Sequence, residues 1–216
     1  MVNTDNVGAA ILVGGKSRRM GYNKVFLKIG KQAVLKDTIS KLSTIFSDIS
    51  LVGSNSDLYL STGLNFFVDI YNNCGPLGGI HSALYFTQKP YVFICACDMP
   101  FIEPKLVEYM ARNILDYDIV VPYIRGGTEP LYAIYSRNCL DIIAIGIMSG
   151  QVKISDIFEK VKTRYIERDE IEKITDPDKV FINLNTPADV DMAKSLANLQ
   201  ALGESIEAIA RVSEKT

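Results

Sequence analysis

Short apolar runs alternate along this chain with segments of helical length, and that alternation points to a parallel sheet joined by crossover helices. The runs that read as strands are Val7–Val13, Ile49–Val52, Asn65–Val68, Tyr91–Ala96, Asp118–Val121, Leu131–Tyr135, Thr163–Ile166 and Phe181–Leu184. Helices are predicted over Val34–Phe46, Gly78–Phe86, Pro104–Asn113, Arg137–Met148, Ile154–Lys160 and Pro187–Leu202. The last continues into a helical tail over 203–216, where Ile206, Ile209 and Val212 keep helical spacing. No repeat or linker divides the chain. The expectation is one domain over residues 1–216, a Rossmann-like three-layer α/β/α fold with a mostly parallel sheet. The stretch from Gly146 to Asp178 is the least regular.

In an open parallel sheet, ligands sit beyond the carboxyl ends of the strands. The residues that follow each run are therefore the ones to read for chemistry. After the first run comes Gly14-Gly15-Lys16-Ser17-Arg18-Arg19-Met20-Gly21-Tyr22-Asn23-Lys24, with four cations in the nine residues from Lys16 to Lys24. Small residues expose backbone N–H groups, and with the cations they suit a polyphosphate such as that of a nucleoside triphosphate. A solvated basic loop is the plainer reading. Gly15-Lys16-Ser17 imitates the end of a Walker-A loop, but Ala10 stands where that motif requires glycine. No G-x-G-x-x-G occurs there, so a dinucleotide site has no support.

Asp69 follows the third run and Gly75-Pro76-Leu77-Gly78-Gly79 comes soon after, leading into a helix at Ile80. Glycines at a helix N-terminus let backbone approach a ligand closely, although an ordinary tight turn reads the same way. Asp98 ends the very apolar run through Cys97 and precedes Met99-Pro100. A carboxylate there needs a partner, either a turn or a hard cation such as Mg²⁺ shared with substrate phosphates. Thr186, Pro187 and Asp189 read as N-cap, N1 and N3 of the last helix. Asn183 and Asn185 are left over, with their amides on one face of the expected last strand.

The remaining inventory excludes several chemistries. With 23 basic and 25 acidic residues the net charge is −2, so a general nucleic-acid or membrane-surface binder is not expected. Cys74, Cys95, Cys97 and Cys139 are too few and too scattered for a disulfide framework, and no second cysteine pair joins Cys95 and Cys97 for zinc. His81 is the single histidine, so Ser-His or Cys-His catalysis has no support; a helix-capping or solvent role is expected for it. Residues 1–6 are polar and no apolar stretch reaches membrane-spanning length, which makes the cytoplasm the expected compartment.

The order V-G-G-K-S-R-R-M-G-Y-N-K, G-P-L-G-G, C-D-M-P-F, N-L-N-T-P resembles the molybdenum cofactor guanylyltransferase family, within the wider nucleotidyltransferases that make nucleotide-sugars and related diphosphates. The resemblance runs from about Gly8 to Ala193. It implies the nucleotide-diphospho-sugar transferase fold. It also implies transfer of GMP from GTP to the terminal phosphate of molybdopterin or molybdenum-molybdopterin, with release of pyrophosphate. By motif, Leu12, Val13, Gly14 and Gly15 would line the guanine nucleotide, and Arg19 and Lys24 would hold its triphosphate. Asp98 would bind Mg²⁺, Asp69 and Gly53 would fall at nucleotide-contacting positions, and Asn183 and Asn185 would serve the pterin and phosphate end. Related cytidylyltransferases read L-A-A-G where this chain has Leu12-Val13-Gly14-Gly15, and Gly14 leaves room for the larger purine. Val13 replaces the family's usual alanine, and Asn23 stands where aspartate usually precedes the lysine. Two alternatives stay open: a sister enzyme using CTP or a sugar phosphate, and a non-catalytic nucleotide-binding module.

Overall fold

The structure is a computed structural model that describes residues 4–13, 27–30, 32–150 and 153–213, with the side chains of 200, 201 and 203–213 outside that description. Among these residues the elements are β1 (Val7–Leu12), β2 (Lys28–Ile29), β3 (Gln32–Ala33), α1 (Val34–Leu42), β4 (Ile49–Gly53), β5 (Asn65–Val68), α2 (Gly75–Phe86), β6 (Tyr91–Ala96), α3 (Pro104–Arg112), β7 (Ile119–Ile124), β8 (Gly127–Thr128), β9 (Tyr132–Ser136), α4 (Leu140–Met148), α5 (Ser155–Phe158), β10 (Thr163–Glu167), α6 (Arg168–Glu172), α7 (Pro177–Val180) and α8 (Pro187–Ser213). The main sheet has the order β10-β7-β9-β6-β1-β4-β5, with β8 paired to β7. Only β8 and β9 run against the other strands. The mostly parallel α/β/α expectation is therefore correct. β2 and β3 form a separate small hairpin.

β1 explains why its sequence is apolar without alternation. All six of its residues are buried, because helices cover both faces of the sheet. Val7, Ala9 and Ile11 join one core with Leu42 of α1 and with Leu106 and Met110 of α3. Ala10 and Leu12 point the other way, into a second core with Leu77 and Leu84 of α2, Ile143 of α4 and Phe158 of α5. A fully buried Ile11 or Leu51 contributes about 1.5–3 kcal/mol of transfer free energy. A third, smaller cluster seats α8 through Val190 and Ala193 against Val34 and Phe101. Among the described residues no helix is long and apolar enough to cross a membrane.

Several elements differ from expectation. Phe181–Leu184 is not a strand: Leu184 N–H donates to Asp98 O (2.9 Å) and Asn185 N–H to Asn183 O (3.0 Å), so the segment closes into turns instead of joining a ladder. The fourth helix begins with a 3-10 turn over Arg137–Cys139 before α4 proper. The first helix ends at Leu42, where Ser43 and Thr44 turn their hydroxyls back onto Ile39 O and Lys41 O. α2 starts at Gly75, not Gly78, since proline in the first turn needs no N–H partner.

The irregular stretch up to Asp178 is organised by charge. Arg125 Nη2 donates to Asp178 Oδ1 (2.5 Å), and Arg168 reaches both oxygens of the same carboxylate at 3.2 and 2.9 Å. Arg168 also bonds Glu172 (2.7 Å), and Arg164 pairs with Glu170 (2.6 Å), which accepts from Tyr109 as well. Isolated surface pairs contribute little, but this network joins the β7–β8 turn to α6 and α7. Hydrogen bonds from Arg168 and then Arg125 hold the Asp178 carboxyl down at about 2, against an ordinary 3.8. A depressed carboxyl stabilises the fold fully above the ordinary value, and the contribution is lost as pH falls through the depressed one. Asp178→Asn is therefore expected to flatten the acid limb of stability between pH 3.8 and about 2, read as the urea midpoint against pH.

Candidate functional site at the carboxyl rim of the sheet

The parallel strands leave β1 in opposite directions, towards β4 and β5 on one side and β6 on the other. A crevice opens where strand order reverses, which is the usual ligand position of such sheets. Val13 N–H donates to Val52 O (2.8 Å) and Cys97 N–H to Leu12 O (3.1 Å), so the chain leaves β1 between the ends of its two neighbours. Of the predicted loop, Gly14, Gly15, Arg19 and Lys24 lie outside the described residues, as do Lys16 and Arg18.

On the β4–β5 side Val13, Gly53 and Asp69 lie together. A Cβ on Gly53 would stand 3.1 Å from Val13 O, so glycine permits the close approach of these two strand ends. Asp69 N–H donates to Gly53 O (3.0 Å), which places Asp69 beside them. Leu12 meets this group from below: its side chain fills the space beside Gly79, where a Cβ would lie 3.2 Å away. Its role there is packing, and only its backbone faces the rim. Tyr59, which carried no signal in the sequence, donates its hydroxyl to Val13 O (3.0 Å) and stacks on Phe66.

Gly75 to Gly79 form the first turn and a half of α2, not a loop before it. Cys74, the N-cap residue, makes no side-chain cap, so the first backbone N–H groups of α2 have no capping side chain. The connection from β5 is tight: Asn73 and Gly75 adopt left-handed φ values of 61° and 59°. A Cβ on Gly78 would approach Tyr71 O to 2.7 Å. Ser82 locks this connection, accepting from Ile70 N–H (2.9 Å) and donating to Gly78 O (2.9 Å). His81 neither caps a helix nor faces solvent. It is buried inside α2 with its ring edge-on to Tyr71 at 4.8 Å, its Nδ1 has no hydrogen-bond partner among the described residues, and burial lowers its pKa.

Asp69 Oδ1 is buried and has no hydrogen-bond partner among the described residues, and burial raises the carboxyl above its ordinary 3.8. Such a group is costly unless a ligand completes it.

Asp98 lies half-buried at the turn that ends β6, closed by Met99 N–H on Ala96 O (3.3 Å). Its carbonyl holds Leu184 N–H, which brings Asn183 and Asn185 to the same rim. Asn183 is half-buried and donates to Phe181 O (3.3 Å); Asn185 is exposed. Asp189 accepts from Asn185 N–H (2.9 Å) and Thr186 N–H (2.7 Å), while Thr186 Oγ1 accepts from Asp189 N–H (3.2 Å), the predicted start of α8. Cys95 and Cys97 are buried free thiols. No group of three or more metal-binding side chains occurs among the described residues. One half-buried carboxylate at the strand ends nevertheless fits Mg²⁺, which takes one or two carboxylates and fills its shell with phosphate oxygens and water. A depression near Phe46, Asp48 and Asn65 lies at the opposite, amino end of the strands, away from these groups.

The β9 side adds a residue that sequence reasoning missed. Glu129 is half-buried and has no side-chain hydrogen bond or ion pair among the described residues, and burial raises its carboxyl against the pull of Arg125. The described part of the rim thus holds Asp69 beside the end of β4 and Asp98 at the end of β6.

The chain resembles known proteins along most of its length. Residues 9–165 match the MobA-like NTP transferase domain family. The probable molybdenum cofactor guanylyltransferase of Pelotomaculum thermopropionicum is 33% identical over 193 residues, covering 89% of this chain and 94% of that one. Its counterpart in Clostridium perfringens is 39% identical over 181 residues, covering 82% and 91%. Among solved structures, molybdopterin-guanine dinucleotide biosynthesis protein A from Archaeoglobus fulgidus superposes with a TM-score of 0.77 at 26% identity, covering 88% and 98%. The 2-C-methyl-D-erythritol 4-phosphate cytidylyltransferase of Thermus thermophilus, at 13% identity and a TM-score of 0.64 over 88% and 98%, shares the fold.

The uncompensated Asp69 carboxyl makes a test of its own. A raised carboxyl destabilises the fold once the pH exceeds its ordinary 3.8, and the penalty is complete above its raised value. Asp69→Asn should therefore raise the urea midpoint of the ligand-free protein at pH 7, where a structural carboxylate would lower it.

Proposed function

The chain belongs to the MobA-like NTP transferase family and is a nucleotidyltransferase, and on that premise we propose that it transfers GMP from GTP to the terminal phosphate of molybdopterin, with or without bound molybdenum. The products are the guanine dinucleotide form of the cofactor and pyrophosphate. The observation that carries the reading is the placement of Asp98 just past the end of β6, next to the carboxyl end of β1 where the strand order reverses. The guanylyltransferase names of relatives at 33% and 39% identity support the choice of nucleotide and acceptor.

In this reading the nucleotide lies over the ends of β1, β4 and β5. Backbone from Leu12 to Gly15 lines the base, with Gly14 leaving room for a purine. Asp69 Oδ1, an acceptor without a donor among the described residues, takes a ribose hydroxyl. Arg19 and Lys24 hold the triphosphate. Asp98 is the protein ligand for Mg²⁺, which when bound would neutralise charge on the phosphates and on the departing pyrophosphate.

The attacking group is a phosphomonoester whose second pKa is about 6, so it is largely dianionic at neutral pH and needs no strong base. That agrees with the burial of the single histidine inside α2. One oxygen of the phosphomonoester forms a bond to the α-phosphorus of GTP, and the bond from that phosphorus to the β-phosphate bridge breaks. The protein's part is to bring two anions together and stabilise the charge left on pyrophosphate.

Two experiments check this. In calorimetry with Mg²⁺, GTP is expected to bind in preference to CTP, ATP and UTP, and Asp69→Asn to weaken it; a preference for CTP would move the chain to the sister enzymes. In turnover assays Asp98→Ala should lose about 10²–10³-fold or more in rate, and Lys24→Ala a comparable factor. Pyrophosphate release at an unchanged rate by Asp98→Ala would remove that residue from the chemistry.

A further inference from the structure

The direction of the Asp69 side chain is set from outside its own strand. β5 ends the strand order of the sheet and pairs with β4 on one side only. Its last residue, Val68, lies opposite Gly53, and one residue further on Asp69 N–H donates to Gly53 O (3.0 Å). The next N–H, that of Ile70, goes to α2 instead, where it donates to Ser82 Oγ (2.9 Å). Both peptide planes that flank the Asp69 Cα are therefore held, one by β4 and one by α2. Peptide planes are rigid and leave two soft torsions per residue, so fixing both planes fixes the Cα–Cβ bond of Asp69. Asp69 Oδ1 has no hydrogen-bond partner among the described residues, so its aim comes from the backbone.

Ser82 is suited to that task. It is fully buried, and its hydroxyl donates to Gly78 O one turn earlier (2.9 Å). With the proton committed there, the Oγ lone pairs are left to accept Ile70 N–H. α2 and the chain after Asp69 are in close contact at this point: a Cβ on Gly78 would stand 2.7 Å from Tyr71 O. A Cβ on Gly79 would stand 3.7 Å from Asp69 Oδ1, so the carboxylate lies against the same turns of the helix. Without the serine hydroxyl, Ile70 N–H loses its acceptor and regains one from water only if residues 69–71 move off α2.

We infer that Ser82 is a positioning residue for the nucleotide: through Ile70 N–H it aims the Asp69 carboxylate at a ribose hydroxyl. The inference rests on the reading of Asp69 given above, and it holds for any nucleoside triphosphate seated at these strand ends. Ser82 acts through Asp69 alone.

Calorimetry with GTP, 2′-deoxy-GTP and 3′-deoxy-GTP, each with Mg²⁺, reads that aim as a ratio of affinities. A hydroxyl bonded to a carboxylate is expected to make GTP bind about 10- to 100-fold more tightly than the analogue that lacks it. Ser82→Ala is expected to narrow that ratio about 3- to 10-fold, by weakening GTP and leaving the deoxy analogue nearly as tight. In an Asp69→Ala background the ratio should fall to about one, and Ser82→Ala should not move it further. Ala83→Gly, which loosens α2 by helix propensity alone, should leave the ratio intact. A ratio of affinities does not depend on how much of a preparation is folded. Ser82→Cys, with a weaker acceptor of similar size, is expected to fall between serine and alanine. An unchanged ratio in Ser82→Ala and Ser82→Cys would overturn the inference, and so would an equal narrowing in Ala83→Gly. If the unaltered chain binds GTP but does not discriminate against either deoxy analogue, the role of Asp69 falls and this inference falls with it. A preference for CTP would sink the guanylyltransferase reading alone, and the same ratios with CTP and its deoxy analogues would then decide the role of Ser82.

Discussion

Two hydrogen bonds, Val13 N–H to Val52 O at 2.8 Å and Cys97 N–H to Leu12 O at 3.1 Å, hold the end of β1 between its parallel neighbours, and everything at the rim hangs on that clamp. Because β4 and β6 are both parallel to β1, all three present their carboxyl ends to the same edge. Their crossovers then run to opposite sides of β1, and the crevice opens between them. The clamp tolerates little variation. Gly53 is needed where β4 closes on Val13, and Gly78 where α2 closes on Tyr71. Both contacts are to backbone oxygen, which gives way less readily than the end of a flexible side chain.

The carboxylates of this chain fall into two groups by how their surroundings treat ionisation. Asp178 and Asp189 have their donors supplied by the protein, from arginine side chains in one case and backbone N–H groups in the other. Their work is structural, joining α6 and α7 to the β7–β8 turn and starting α8. Asp69 and Glu129 are partly withdrawn from water with no donor among the described residues, and burial pushes both carboxyls up. A fold keeps such groups at a cost to its own stability, which is the pattern of sites completed by a ligand.

Much of this was legible in the sequence, and the reasons differ by element. Strands such as β1 and β6 showed as unbroken apolar runs because helices cover both faces of the sheet. Thr186, Pro187 and Asp189 were readable because capping uses neighbours in sequence. Phe181–Leu184 was misread because its apolar residues do enter the core, while its backbone bonds go to Asp98 and to itself. The short α6 and α7 escaped notice because four- and five-residue helices carry too few turns to show a period. His81 was misjudged for a related reason: a lone polar residue in an apolar helix does not say that Tyr71 will cover it.

The sequence by itself determined the sheet with its crossovers, the apolar faces, and which loops carry glycine, cation or carboxylate, because these depend on residues close together along the chain. It also determined the family, through four motifs in order. Only the tertiary structure decided that Gly53, Val13 and Asp69 meet and that Tyr59 anchors the end of β1. Those relations depend on strand order, which leaves no local trace, because pairing across a sheet is chosen by how whole faces bury together.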